Sequence, residues 1–185
     1  MSKKFVAIVG MVGAGKTTAG CYLEKKGFKK VRFGQVVIDE IKRRGLSVCE
    51  KHEKLVREGL RYERGMDVMA KLNYPKIKKA LETSHVVGDD IYSWEEYLYL
   101  KKKLKEGMTV LAIFASAKVR YQRISKRKER PLSARLAQGR DYADISNIQK
   151  AGPIAMADYV IVNEEGKKEF QQNLNIFLQK SKLKI

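Results

Sequence analysis

The residues Gly10-Met11-Val12-Gly13-Ala14-Gly15-Lys16-Thr17 have the spacing G-x-x-x-x-G-K-[ST]. Gly10, Gly13, Ala14 and Gly15 let successive backbone N–H groups turn inward, which is what a loop cradling phosphate oxygens requires. A lysine in the place of Lys16 reaches β- and γ-phosphates, and a hydroxyl in the place of Thr17 holds Mg²⁺. Thr18 follows at the start of the next element. The flanks support this chemistry. Phe5 to Val9 is a short apolar, β-branched run that reads as a buried parallel strand. Thr17 to Lys26 reads as a helix stopped by Gly27, and its N-terminus adds a dipole to the anion site.

Asp89 and Asp90 end a second short apolar run, His85 to Asp89. An acidic residue at a strand end beside a phosphate loop can hold Mg²⁺, directly or through water. Adjacent strand residues face opposite ways, so one of the pair serves, and Asp89 is the expected one. Between Lys118 and Arg140 there are nine basic residues and one acid, Glu129. Six of the nine are arginines, whose planar fork suits phosphate. Arg123 and Arg127 are four apart and would share one face of a helix over 117–128. The stretch 129–138 reads as a mobile flap, which could neutralise charge and exclude water over a nucleotide.

Strands over 30–33, 108–114 and 158–162 complete the set, with helices over 34–44, 50–72, 93–105 and 166–180. A further helix runs to about 81, with Pro75 in its first turn. Leu55, Val56, Leu60, Val68, Met69 and Leu72 are the core candidates of the helix over 50–72. Alternating strands and helices predict a parallel sheet covered on both faces, with the active crevice at the strand carboxyl ends. The 185 residues fit one domain, 1–185. No apolar stretch reaches the length of a membrane span. The chain shows no separate signal peptide, and its two cysteines, Cys21 and Cys49, fit no metal pattern. A reduced, cytoplasmic setting is the expectation. The net charge of +18 favours polyanionic partners, or marks a solvated, lysine-rich surface.

Taken together, GMVGAGKTT at 10–18, FGQVVIDEIKRRG at 33–45, RGMDVMAK at 64–71, VVGDDIYSWEE at 86–96, GRD at 139–141 and MADYVIVNEE at 156–165 resemble nucleoside-monophosphate-kinase-type P-loop proteins, such as adenylate kinases and dephospho-coenzyme A kinases. The chain is more closely similar to an archaeal family of kinase-like ATP-binding proteins. The resemblance implies a three-layer α/β/α P-loop NTPase fold with about five parallel strands. It also implies a helical substrate-binding insertion over 34–82 and an arginine-rich lid over 126–141. By the same resemblance Arg123 and Arg127 match lid arginines that contact ATP, and Asn163 falls in the adenine-contacting loop. Relatives carry phosphate-acceptor-gripping groups where this chain has Gln35, Ile38 and Tyr92, so the acceptor side is altered.

The expectation is an ATP- and Mg²⁺-dependent phosphotransferase of small-molecule kinase type. Its catalytic residues would be Lys16, Arg123 and Arg127, its metal would sit on Thr17 and Asp89, and its acceptor is open. A monomer or a homodimer is expected. Two alternatives stand beside it. The first is a nucleic-acid-associated ATPase or polynucleotide kinase, with Tyr92, Trp94, Tyr97 and Tyr99 stacking bases. The second is a non-catalytic ATP-binding regulator.

Overall fold

The computed structural model describes residues 3–128 and 130–183 and leaves the Glu50 side chain undescribed. Glu129, the one acid of the basic run, therefore lies outside the described residues. Five strands, β1 (Phe5–Val9), β2 (Lys29–Arg32), β3 (Val86–Asp89), β4 (Met108–Phe114) and β5 (Tyr159–Val162), form one all-parallel sheet in the order β2-β3-β1-β4-β5. Nine α-helices accompany them among the described residues: α1 (Lys16–Lys25), α2 (Gln35–Arg43), α3 (Glu50–Arg64), α4 (Val68–Leu81), α5 (Trp94–Leu104), α6 (Ala117–Ser125), α7 (Ala134–Ile148), α8 (Ala151–Ala155) and α9 (Lys167–Lys180).

Every residue of β1 is fully buried, because its two faces meet two different helical layers. Phe5, Ala7 and Val9 pack into a core with Val36 and Ile41 of α2, Val56 and Leu60 of α3, Met69 and Ile77 of α4, and Leu100 of α5. Val6 and Ile8 face the other way, toward Ala19 and Leu23 of α1 and Phe170, Leu174 and Phe177 of α9. From β1 the chain first builds outward to β2 and β3, then crosses to β4 and β5 on the opposite side. Strand order thus reverses at β1, and a crevice opens at its carboxyl end.

Several local expectations change. The helix foreseen over 50–72 is two helices, separated at Gly65 (φ 93°). Pro75 lies in the interior of α4 rather than in a first turn. An interior proline costs about 3 kcal/mol. The buried face Val68, Met69, Asn73 and Ile77, with the Asn73 amide donating to the Met69 and Phe33 carbonyls at 2.9 and 3.2 Å, holds the helix together across it. Leu55 is 59% exposed and Leu72 only half-buried, while Val56 and Leu60 carry the burial of α3. Helix α6 ends at Ser125, so Arg127 stands in the turn after it and not on a helical face shared with Arg123. The stretch foreseen as a flap becomes helical at Ala134. Ser133 caps α7 by accepting from the Leu136 N–H at 3.3 Å, and buried Ala137 packs with Ile124 and Val12.

Candidate functional site

The loop between β1 and α1 is built by backbone that a side chain would spoil. Gly13 has φ 82°, and a Cβ there would stand 2.9 Å from the Arg120 carbonyl and from the Ile124 side chain. Gly15 has φ 111°, and a Cβ there would collide with the Asn163 amide nitrogen. Both residues are glycine because only glycine takes these angles in so tight a space. Asn163, just past β5, pins the loop from behind: its Nδ2 donates to the Ala14 carbonyl at 2.7 Å. Gly10 and Ala14 form the loop's underside. Gly10 abuts the Ile113 carbonyl, and the Ala14 N–H donates to the Met11 carbonyl at 3.2 Å.

A cleft of about 1810 Å³ opens over this loop, lined there by Gly13, Gly15, Lys16, Thr17 and Thr18. Thr17 and Thr18 are exposed at the start of α1. The Lys16 ammonium is folded back, donating to the Met11 carbonyl at 2.9 Å and standing 3.4 Å from Asp90 Oδ1. Burial lowers the Lys16 pKa to about 8, with Lys150 adding to the effect and Asp90 opposing it. A lysine so destabilised in its charged form gains strongly from an arriving anion.

The strand-end acids divide differently from the expectation. Asp90, not Asp89, lines the cleft. Asp89 is held in β3 in register with Ile8 and Arg32, and its Cβ faces Gly20 of α1. Burial and the neighbouring Asp90 raise its pKa to about 6, against the pull of Arg32 and Lys30. Asp90 turns out of the strand with φ 72°, which carries its carboxylate round to Lys16. Burial opposes its ionisation. Lys150 and Lys16, with a hydrogen bond from the Tyr92 hydroxyl, outweigh burial and hold the carboxyl below its ordinary range.

Lys150, from the turn between α7 and α8, escaped the sequence reading. Its side chain is almost fully buried, 3.4 Å from Asp90 Oδ1, 3.3 Å from Asp144 Oδ2 and 4.3 Å from the Tyr92 ring centre. Nothing in the sequence marks it among so many lysines. Only the fold brings it 60 residues back to Asp90.

Arg123 and Arg127 line one end of the cleft with Asn163 and Lys167. Arg123 Nη1 donates to the Asn163 carbonyl at 2.7 Å, tying α6 to the loop after β5. Arg120, counted among the basic run, does not present its charge to the cleft. Its guanidinium is buried, donating to the Ala115 and Val12 carbonyls at 3.0 and 3.1 Å and paired with Asp141 at 2.7 Å. The cleft is also lined by Arg57, Arg61 and Tyr62 of α3, by Met66 and Tyr92, and by Arg140 and Asn147 of α7. Arg130 closes across it with two bonds to Glu53 of α3, at 2.6 and 3.0 Å.

Gln35 and Ile38 are elsewhere. Gln35 donates to Asp39 at 2.9 Å on the surface, and Ile38 packs against the core. Of the four aromatics singled out, only Tyr92 lines the cleft. Trp94 stacks on Tyr97 with ring centres 5.0 Å apart, and Tyr99 meets Tyr74 edge-on at 5.9 Å.

A parallel sheet with a glycine-rich loop, Lys16 and Thr17 at its switch point defines a P-loop protein of kinase-like α/β/α fold, a nucleotide-binding class. Solved structures agree on the fold. A shikimate kinase from Acinetobacter baumannii, in complex with shikimate, superposes with a TM-score of 0.63 at 19% identity, covering 98% of this chain and 96% of that one. A dephospho-CoA kinase from Campylobacter jejuni does so with a TM-score of 0.53 at 17% identity, covering 96% and 97%. In sequence, residues 6–145 match the family model described as an AAA domain. A UPF0200 protein of Pyrococcus furiosus is 33% identical over 171 residues, 90% of this chain and 91% of that one. One of Thermococcus kodakarensis is 30% identical over 170 residues, 90% and 91% of the two chains. The chain belongs to the UPF0200 family of AAA-domain P-loop proteins.

Proposed function

We propose that this protein transfers the γ-phosphoryl group of ATP to a small-molecule acceptor, with Mg²⁺ as its metal. One observation carries the reading. Lys16 stands 3.4 Å from Asp90 in a single cleft that Thr17 also lines, together with arginines from separate parts of the chain, Arg123 and Arg127 on the one hand and Arg57, Arg61 and Arg140 on the other. Two such sets of cations support a donor side and an acceptor side.

The residues fit both groups. The loop offers inward-turned backbone and an under-stabilised lysine, which suit phosphate. Among the described residues no cluster of three His, Cys, Asp or Glu could cage a metal. Thr17 and Asp90 instead offer the one or two oxygen ligands that Mg²⁺ takes beside substrate phosphates. A Mg²⁺ ion held by Thr17 and Asp90 would supply charge neutralisation to the phosphates.

The chain's own residues would then divide the work. Lys16 exchanges its bond to the Met11 carbonyl for phosphate oxygens. Arg127 lies at the donor end to meet charge that spreads onto the transferring group. Arg123 braces the Asn163 loop beside the nucleotide. Lys150, itself paired with Asp144, holds Asp90 in its outward turn. A cytoplasmic setting suits Cys21 and Cys49, which are unpaired.

The test is a screen with γ-labelled ATP over nucleoside monophosphates, dephospho-coenzyme A, hydroxy acids and 5′-hydroxyl RNA, on wild type and Lys16→Ala. Acceptor-dependent label transfer that Lys16→Ala abolishes is the expected result. Transfer undiminished by that substitution overturns the assignment, and ATP binding without transfer to any acceptor marks a regulatory binder instead. Label transfer confined to RNA would redirect the reading to a polynucleotide kinase.

A further inference from the structure

The cleft is lined by a buried cation, Arg61, that has an ion-pair partner but two donors without a hydrogen bond. The Arg61 side chain is only 9% exposed, yet its Nε and Nη2 have no hydrogen-bond partner. Its nearest acid, Glu96, stands at 3.6 Å, beyond hydrogen-bond reach, and is itself fully buried. A buried guanidinium with idle donors carries a large desolvation cost, and native proteins rarely keep one without a use. Arg61 lines the cleft, although its Nε and Nη2 are themselves closed off from solvent, so an entering anion would have to draw the fork outward to engage them.

Its surroundings fit an anion. Arg57 lies one helical turn earlier on α3 and on the same face, while Arg140 approaches from α7. Both also line the cleft, and both lie close enough to the Tyr92 hydroxyl to act on its ionisation. Two acids of α3 line the cleft, Glu53 and Glu58, and Glu53 is already engaged by Arg130. The wall beside the arginines is apolar, with Leu132, Leu136 and Ile148.

We propose that Arg61, with Arg57 and Arg140, binds an oxyanion on the acceptor, so that the acceptor is a phosphomonoester or a carboxylate carrying a separate hydroxyl or phosphate oxygen to be phosphorylated. This rests on the phosphotransferase reading above and deepens it. The grip has moved from the segment around Gln35 and Ile38 to α3 and α7. Arginine forks suit this task because they bind planar or tetrahedral oxyanions with two parallel bonds. Atom balance is simple: the acceptor oxygen forms a bond to the γ-phosphorus, the bond from that phosphorus to the bridging oxygen breaks, and ADP leaves. The proton of a hydroxyl acceptor passes to solvent or to the departing products.

The experiment has two arms. The first measures transfer from γ-labelled ATP to nucleoside 5′-monophosphates and to hydroxy-carboxylates, each set against its uncharged counterpart, a nucleoside or a carboxamide. The second titrates the same compounds into protein without ATP, using wild type, Arg61→Gln, Arg61→Lys and Arg140→Gln. Expected are turnover with anionic acceptors alone and an acceptor KM raised about tenfold or more in Arg61→Gln, the size of a lost charge-assisted bond. Arg61→Lys recovers part of the loss, since it keeps the charge without the fork. If Arg61→Gln does not fold, Arg140→Gln carries the test with the same expected rise. The phosphomonoester and carboxylate arms tell the two oxyanions apart. Equal use of charged and uncharged acceptors, or an acceptor KM unmoved in the variants, overturns the proposal while leaving the phosphotransferase standing. Anion binding that Arg61→Gln removes, without transfer to any acceptor, supports the site and overturns the transferase reading instead.

Discussion

Lys150 and Lys16 approach the same oxygen of Asp90, each at 3.4 Å, one from the α7–α8 turn and one from the phosphate loop. The two ammonium groups repel each other, and that oxygen is what reconciles them. Removing Lys150 would leave Asp90 buried with a single cation and would free the Tyr92 ring. Lys150→Met is therefore expected to destabilise the fold. The loss should stay below the roughly 3–5 kcal/mol of a fully orphaned buried charge, because Lys16 remains. Asp90→Asn in the same background should recover part of it. Urea denaturation of the two single variants and the double variant closes the cycle and measures the coupling. Strict additivity would show that the pair does not act as a unit.

Lys16 supplies a pH prediction for nucleotide binding. Its pKa of about 8 in the free protein means that its charge is lost as pH rises through 8. Phosphate binding needs the charged form, so ATP affinity is expected to weaken between about pH 7 and pH 9, with proton uptake on binding at the upper end. Calorimetry in buffers of different ionisation enthalpy reads that uptake directly. Lys16→Met should bind weakly at every pH and show no such slope.

Glu96 titrates in the opposite part of the range. Burial raises its pKa to about 7, against the Tyr92 N–H, which donates to it at 3.0 Å, and the Arg61 charge; Asp90 adds to the rise and Lys150 opposes it. A carboxyl whose pKa is higher folded than unfolded favours folding below its unfolded value. That contribution is fully present below about pH 4.5 and is lost as pH rises through 7. Glu96→Gln should flatten the stability–pH curve over that window relative to wild type. A protonated Glu96 also leaves Arg61 wholly available, so anionic acceptors are expected to bind more tightly at pH 6 than at pH 8. Paired thermal and binding titrations of wild type and Glu96→Gln test both halves. Parallel curves in the two proteins would refute them.

Much of this was legible in the sequence because it rests on local pattern. The run Phe5 to Val9, the glycine spacing and Ser93 before Glu96 each specify structure within a few residues. Ser93 does cap α5, accepting from the Glu96 N–H at 3.1 Å. What stayed hidden depends on distance. The alternation rule separates Asp89 from Asp90, but only the positive φ of Asp90 decides which of them turns to the loop. Lys150 and Arg61 look like ordinary members of a basic chain until burial removes their solvent. Pro75 misled for a similar reason, since tertiary burial of one helix face carried the helix through what reads locally as a helix start.

The buried pair Arg120–Asp141 gives the last test, and it bears on how the phosphate loop is held rather than on what it binds. Arg120 donates to the Val12 carbonyl inside the loop and to the Ala115 carbonyl at the end of β4, while Asp141 accepts from both Arg120 and the Tyr121 hydroxyl, at 2.7 and 2.9 Å. One arginine thus fastens the loop to β4 and, through Asp141, to α7, whose C-terminal turn presents Lys150. Arg120→Met would strand the Asp141 carboxylate, whose Oδ1 already lacks a partner, and release the Val12 carbonyl. The expected cost is about 3–5 kcal/mol. Replacing both partners, Arg120→Met with Asp141→Leu, should restore much of the stability, because no charge is then left buried alone. It should not restore the loop. Hydrogen exchange at 11–15 is expected to stay fast, and ATP affinity low, in the double variant. A double variant that recovers stability and loop protection together would show that packing alone, without the Arg120 bridge, orders the phosphate loop.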